Sequence, residues 1–146
     1  MLNDQVQELL AAAVPGLAGR IEGAAQLAAL MKQNSLPQVT PAAYVIGLGA
    51  DAARPGDITG AHVQTITERV AIVLVVTVAD DATGGRAAAE VEGLVEAAVQ
   101  GLTGAAVAGH QTPLALQRSR LVSIEAGTIF HQIDFSTTRQ IRKVSP

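Results

Sequence analysis

Residues 67–85 read TERVAIVLVVTVADDATGG, and the ten from Val70 to Ala79 carry one hydroxyl, Thr77, among otherwise apolar side chains. Ten residues is about half of the roughly 20 that a membrane-spanning helix needs. The run is rich in β-branched residues and stops at Asp80-Asp81, so it predicts a buried strand. Successive side chains of a strand point to opposite faces. Val70, Ile72, Leu74, Val76 and Val78 therefore share one face, and Ala71, Val73, Val75 and Thr77 the other. Both faces are apolar and both need cover.

The strand starts near His62, and at about 3.3 Å per residue an unbroken run to Ala79 would approach about 60 Å. That length predicts a bend or bulge near Thr67 to Arg69. Downstream, Ala87, Val91, Leu94, Val95, Ala98 and Leu102 fall on one stripe, with Glu92, Glu96 and Gln100 opposite, which predicts a helix over 85–102. Asp80, Asp81 and Thr83 supply cap acceptors at its start, and Gly101 and Gly104 close it. Upstream, Leu2, Val6, Leu9, Leu10 and Ala13 make a helical stripe that Pro15-Gly16 stops. A second helix is expected over 22–33 with Ala24, Leu27, Ala28 and Met31 inward, then a strand from Ala43 to Leu48. Gly49 to Gly60, turning at Pro55-Gly56, reads as a long loop, and loops of that length are often contact surfaces. LALQRSRLVSIE and TIFHQIDFST form a hairpin around Ala126-Gly127. The last residues, RQIRKVSP, read as a short edge strand or a mobile basic tail from about 138.

The order of elements describes a single α+β domain over 1–146, a two-layer antiparallel sheet of about four strands with the long helix and the N-terminal helices on one face. Only one Tyr, two Phe and no Trp occur, so Ala, Val, Leu and Ile must fill the core. Apolar residues make up 49% of the chain and charged residues 16%, the composition of a globular protein. In this arrangement the Ala71, Val73 and Val75 side lacks cover within the chain, which points to a second copy as its cover.

Function classes narrow quickly. A net charge of −3 gives no footprint for wrapping a nucleic-acid backbone. The absence of cysteine excludes disulfides and thiolate metal sites, and the N-terminus lacks the basic n-region of a signal peptide. GLGAD at 47–51 lacks the third glycine and following helix of a dinucleotide site, and DATGGR lacks the lysine of a phosphate loop. His62, His110 and His131 show no zinc spacing. Asp80-Asp81 falls short of calcium's six to eight oxygens. Ser123, His131 and Asp134 supply triad residue types without a nucleophile elbow, so His131 between Ile129 and Ile133 reads as a hydrogen-bonded, partly buried side chain. No enzyme and no cofactor is expected. Exposure and composition make these the expected contact elements: Asp51, Arg54 and Asp57 in the 49–60 segment, Ala71, Val73 and Val75 on the strand, and Arg139, Arg142 and Lys143 at the C-terminus.

RIEGAAQLAAL, PAAYVIGLGADA, VQTITERVAIVLVV, DDATGGRAAAEVEGLVEAAVQGLTG and RLVSIEAGTIFHQIDFST follow one another through residues 20 to 137. In that order they resemble the tail terminator proteins of tailed bacteriophages and prophages. The resemblance implies an α+β subunit forming a homo-oligomeric ring, a hexamer, on the head-proximal end of a completed tail tube. Its implied partners are its own copies, the tail tube protein and head-completion or connector proteins, with DNA passing through the ring unread and no membrane. The implied location is the virion tail, and the host cytoplasm during assembly. The competing readings are another head-tail joining or tail-completion component, and a small-molecule-binding α+β domain, which would need a deep pocket of convergent polar groups.

Overall fold

The apolar run does lie at the centre of a sheet. The computed structural model describes residues 2–37, 39–58, 61–78, 85–125 and 127–144. The elements are α1 (Leu2–Ala13), β1 (Ile21–Gly23), α2 (Ala24–Lys32), β2 (Ala42–Ala52), β3 (Gly56–Ile58), β4 (Ala61–Thr77), α3 (Gly85–Leu102), β5 (Ala115–Glu125) and β6 (Thr128–Val144). The sheet order is β1-β2-β4-β6-β5, with β3 also on β4. All pairings are antiparallel except β1 with β2, which are parallel. The class is α+β, as the sequence indicates.

Strand β4 carries the even-numbered face into the main core. Val70, Ile72 and Leu74 join Ala43 and Val45 of β2 and Ile133 and Phe135 of β6 beneath α1 and α3. The two helices present the expected stripes: Leu2, Val6 and Leu10 from one, Ala87, Val91, Ala98 and Leu102 from the other. Val76 and Ile129 extend the layer under Ala87 and Val91.

The opposite face has its own cover, which corrects one expectation. Val73 and Val75 cluster with Ala42 and Tyr44 of β2, and Leu27 and Leu30 of α2 pack on them. Ala71, Val73 and Val75 are 1%, 8% and 0% exposed, so they are interior residues and offer no contact surface to a second copy. Helix α2 thus lies across the sheet from α1 and α3. Its inward residues are Leu27 and Leu30, whereas Ala24, Ala28 and Met31 are exposed, because only one narrow edge of this short helix meets the sheet.

Strand β4 keeps its register with β6 through the stretch where a bend or bulge is expected. It pairs β6 without a register shift from Ala61↔Val144 to Thr77↔Thr128. The irregularity sits on the neighbouring strand: β2 skips Leu48 between Gly47↔Val70 and Gly49↔Arg69. Gly49 adopts φ +97°, a conformation open to glycine, so the twist is relieved where the residue type permits it.

Two further segments are ordered strands. Gly49–Ala52 continues β2, and after a three-residue break at 53–55 the chain resumes as β3, still alongside β4. The break holds Pro55, which has no N–H to give the ladder. Ala53 N–H donates to Thr65 O at 2.9 Å and Gln64 Nε2 donates to Ala53 O at 2.8 Å, which carries the pairing across it. Residues 138–144 are the end of β6, paired to Ala61–Thr67. The basic tail is a strand because β4 supplies a full set of backbone partners to it. Asp80, Asp81 and Thr83, and Ala126 of the hairpin turn, lie outside the described residues.

Gly101 does not terminate α3; it lies one residue inside it. A Cβ there would intrude on Ala13 Cβ, so the glycine marks a close approach of α1 and α3. Gly104, at φ +84°, makes the turn beyond.

His131 faces the α1/α3 side opposite Leu74, between the buried Ile129 and Ile133. Its Nε2 lies 2.7 Å from Ser119 Oγ, and burial pushes its pKa below the usual 6.5.

Gly101→Ala should therefore destabilise the fold. The helix-propensity gain of about 1 kcal/mol is outweighed by an overpacking cost of about 1–3 kcal/mol, read as a lower denaturation midpoint, and Ala13→Gly in the same chain should recover part of the loss. Acid should act through His131. Its folded pKa is lowered, so the unfolded chain binds the proton more readily, and stability falls as pH drops below about 6.5 through the folded pKa. His131→Gln should flatten that part of the melting-temperature profile.

Candidate assembly surfaces

Beyond the helices the sheet continues as a ribbon. It consists of 49–58, 61–69 and 136–144, with β4 in the middle. No residue of these segments belongs to a described core cluster. The ribbon holds through backbone ladders and its own side chains rather than through a covering helix. Its central strand from 61 to 67 is about 23 Å long at about 3.3 Å per residue.

Its root is a polar seam. The Glu68 carboxylate accepts from Arg139 Nε across the β4–β6 ladder, and His110 Nε2 lies 3.4 Å from the same Glu68 oxygen. The His110 side chain is buried, and its Nδ1 lies 3.1 Å from Ala108 O. Gln5 of α1 grips the same loop, donating from Nε2 to Ala108 O at 3.1 Å and accepting from Ala108 N–H at 2.7 Å. The loop then runs along β6: Gln111 N–H donates to Thr138 O at 2.7 Å, and Thr137 Oγ1 donates to Thr112 O at 2.6 Å. Together these bonds tie the ribbon to α1 and to the loop after α3.

The sequence candidates fall on this ribbon, except for the three interior residues of β4. Asp51 is exposed on β2 and paired with Arg69; Arg54 is exposed in the break before β3. Asp57 lies in β3, in register with His62. Arg139 belongs to the root, while Arg142 and Lys143 are exposed toward the far end, in register with Val63 and His62. Asp51, Arg54, Arg142 and Lys143 therefore share one projecting element although they are up to about ninety residues apart in the chain.

The triad residue types do not converge. Ser123 is in register with Phe130, on the α2 side, and Asp134 alternates to that same side. His131 points the other way, to Ser119. Among the described residues there is no group of three or more His, Asp or Glu placed to hold a metal ion. No helix among them is long and apolar enough to cross a membrane.

One surface was not anticipated. Strand β5 ends the sheet, and α3 stops short of it, leaving Leu121, Val122 and Ile124 51%, 48% and 53% exposed. The sequence signal for an edge is present in hindsight, since Arg118 and Arg120 are the kind of charge natural edge strands carry.

A family model described as phage tail terminator protein matches residues 3–146. Among curated proteins, none matches the chain. Among solved structures, a chain of the virion of a native gene transfer agent particle shares the fold at 19% identity, with a TM-score of 0.58 over 96% of this chain and 95% of that one. With the family match spanning nearly the whole sequence, the chain belongs to the phage tail terminator family and is a structural protein of a virion tail.

Proposed function

We propose that this chain closes the head-proximal end of a tail tube as a ring of its own copies, six in number. The ring stops further addition of tube protein and presents a surface for head-completion proteins. The observation that carries this reading is the family match over residues 3–146. Termination needs no chemistry. A ring whose one face matches the last tube layer, and whose other face offers no tube-like acceptor, ends polymerisation by shape, and no catalytic step or cofactor enters.

The ribbon is the element this reading assigns to the tube or the head. It projects past the helices, it is braced at its root by Glu68, Arg139 and Gln5, and it carries Arg54, Arg142 and Lys143 into solvent. A braced projection suits docking, because little ordering entropy remains to be lost when a partner binds. Assembly would take place in the host cytoplasm, with the ring then retained in the virion tail.

Tails assembled with and without this chain, viewed by electron microscopy, test the proposal: uniform lengths with it and overlong tubes without it are expected, and uniform lengths in both would refute it. Reversing Arg142 and Lys143 to glutamate should leave stability within about 0.5 kcal/mol, as exposed substitutions usually do. The same variant should lengthen or misassemble tails. Normal tails would remove the ribbon's far end from the contact surface.

A further inference from the structure

The two edges of the sheet complement each other row by row. The register across the strands links Glu22 to Tyr44, Tyr44 to Val73, Val73 to Gln132 and Gln132 to Arg120. This row lies on the α2 side and ends in an acid at one edge and a base at the other. The adjacent row on the α1/α3 side runs Ile21, Ala43, Leu74, His131, Leu121, apolar at both ends. A third row runs from Gly23 to Ser119, the smallest pair of ends.

Strand directions complement each other too. β1 runs parallel to β2, and β2, β4, β6 and β5 alternate, so β1 and β5 point in opposite directions. Placing a second copy beside the first in the same orientation brings β5 of one antiparallel to β1 of the next. The shapes differ in the sense required. β1 contacts both α1 and α2, which rise on either side of it, so it lies at the floor of a groove. One wall carries Glu8 and Ala11 and the other Gln26. β5 has exposed side chains on both faces and stands out as a tongue.

We infer that the β5 edge of one copy inserts into the β1 groove of the next, continuing the sheet from subunit to subunit, with Arg120 against Glu22 and Leu121 against Ile21. The contact is heterologous: it uses two different surfaces, and it closes into a ring when the rotation per copy is a divisor of a full turn. It deepens the ring reading above and rests on it. The groove also holds Arg20, but its guanidinium is turned to Thr40 O at 3.4 Å, leaving Glu22 as the acid met by Arg120 on the α2 side. Backbone pairing along an edge supplies the attraction, and the alternating side chains set the register.

The chain has no cysteine, so engineered ones report on this contact alone. Glu22→Cys with Arg120→Cys in one chain should give, under mild oxidation, a ladder of disulfide-linked multimers. An equimolar mixture of the two single variants should stop at a dimer, and each single variant alone should stay unlinked. The measurement is made on the chain alone and on tails assembled with it. Absence of linkage in both, or a dimer formed by Arg120→Cys alone, would overturn the pairing. In the cysteine-free chain, Arg120→Glu should weaken assembly roughly tenfold, and adding Glu22→Arg should restore it; weakening without recovery counts against the pair. Melting temperatures equal to the parent's show that the variants fold. Uniform tails without linkage would sink this contact and leave the terminator reading standing, and a full ladder on overlong tails would do the reverse.

Discussion

Strand β4 has no free surface over its central stretch: its edges are bonded to β2 and β6, and its faces are buried under α1 and α3 on one side and α2 on the other. With so few aromatics, each buried aliphatic side chain contributes only about 1.5–3 kcal/mol, so the fold needs many of them in contact at once. A strand apolar on both faces provides that, provided that helices come from both sides. The remaining architecture follows from this requirement. The link from β1 to α2 carries the chain to the far face, and α1 and α3 close on each other at Gly101 to cap the near one.

How much of this was legible depended on whether an element faces the core. Helices α1 and α3 bury a wide stripe, so their 3.6-residue spacing names nearly every buried residue, including Val6, Val91 and Ala98. Helix α2 touches the sheet through Leu27 and Leu30, and two contacts in an alanine-rich segment leave its phase open. The side assigned to it decided whether Val73 and Val75 were surface or core. Segment 49–58 looks like a loop because glycine and proline punctuate it, and 138–144 reads equally as an edge strand or a tail because charge dominates it. Their order comes from backbone pairing with β4, a long-range event without a local side-chain signature. Which strand ends the sheet is likewise a matter of topology, so the exposed Leu121 and Ile124 read as ordinary strand residues until the order β1-β2-β4-β6-β5 was known.

The polar seam at Glu68 has a different role from the core. Glu68 stands where the ribbon leaves the body and meets a strand partner, Arg139, and a loop partner, His110, at once. Its carboxylate is largely buried, so removing Arg139 alone would leave a poorly solvated charge, which costs more than the pair itself is worth. The same loop is held by Gln5 and by Thr137 and Thr138. Loop, helix and ribbon are thereby joined by side-chain contacts outside the core.

The energetics of the β5 edge fit the proposed ring best if it assembles on a template. Leu121, Val122 and Ile124 are about half exposed, and covering the remainder of each yields about 1 kcal/mol by area. Their sum is a few kcal/mol, short of the roughly 4–15 kcal/mol that association costs in lost rigid-body freedom. Backbone pairing and the Arg120–Glu22 contact narrow the gap without closing it by a wide margin, since an ion pair at an exposed edge contributes about 1 kcal/mol or less. An edge of this strength holds free copies loosely. In the proposed ring, copies held side by side on a tube end would form each new contact at a high effective concentration, and the last contact would close the ring with no additional freedom to lose. A weak edge would suit the proposed terminator ring better than a strong one, because it would make closure of that ring conditional on a finished tube.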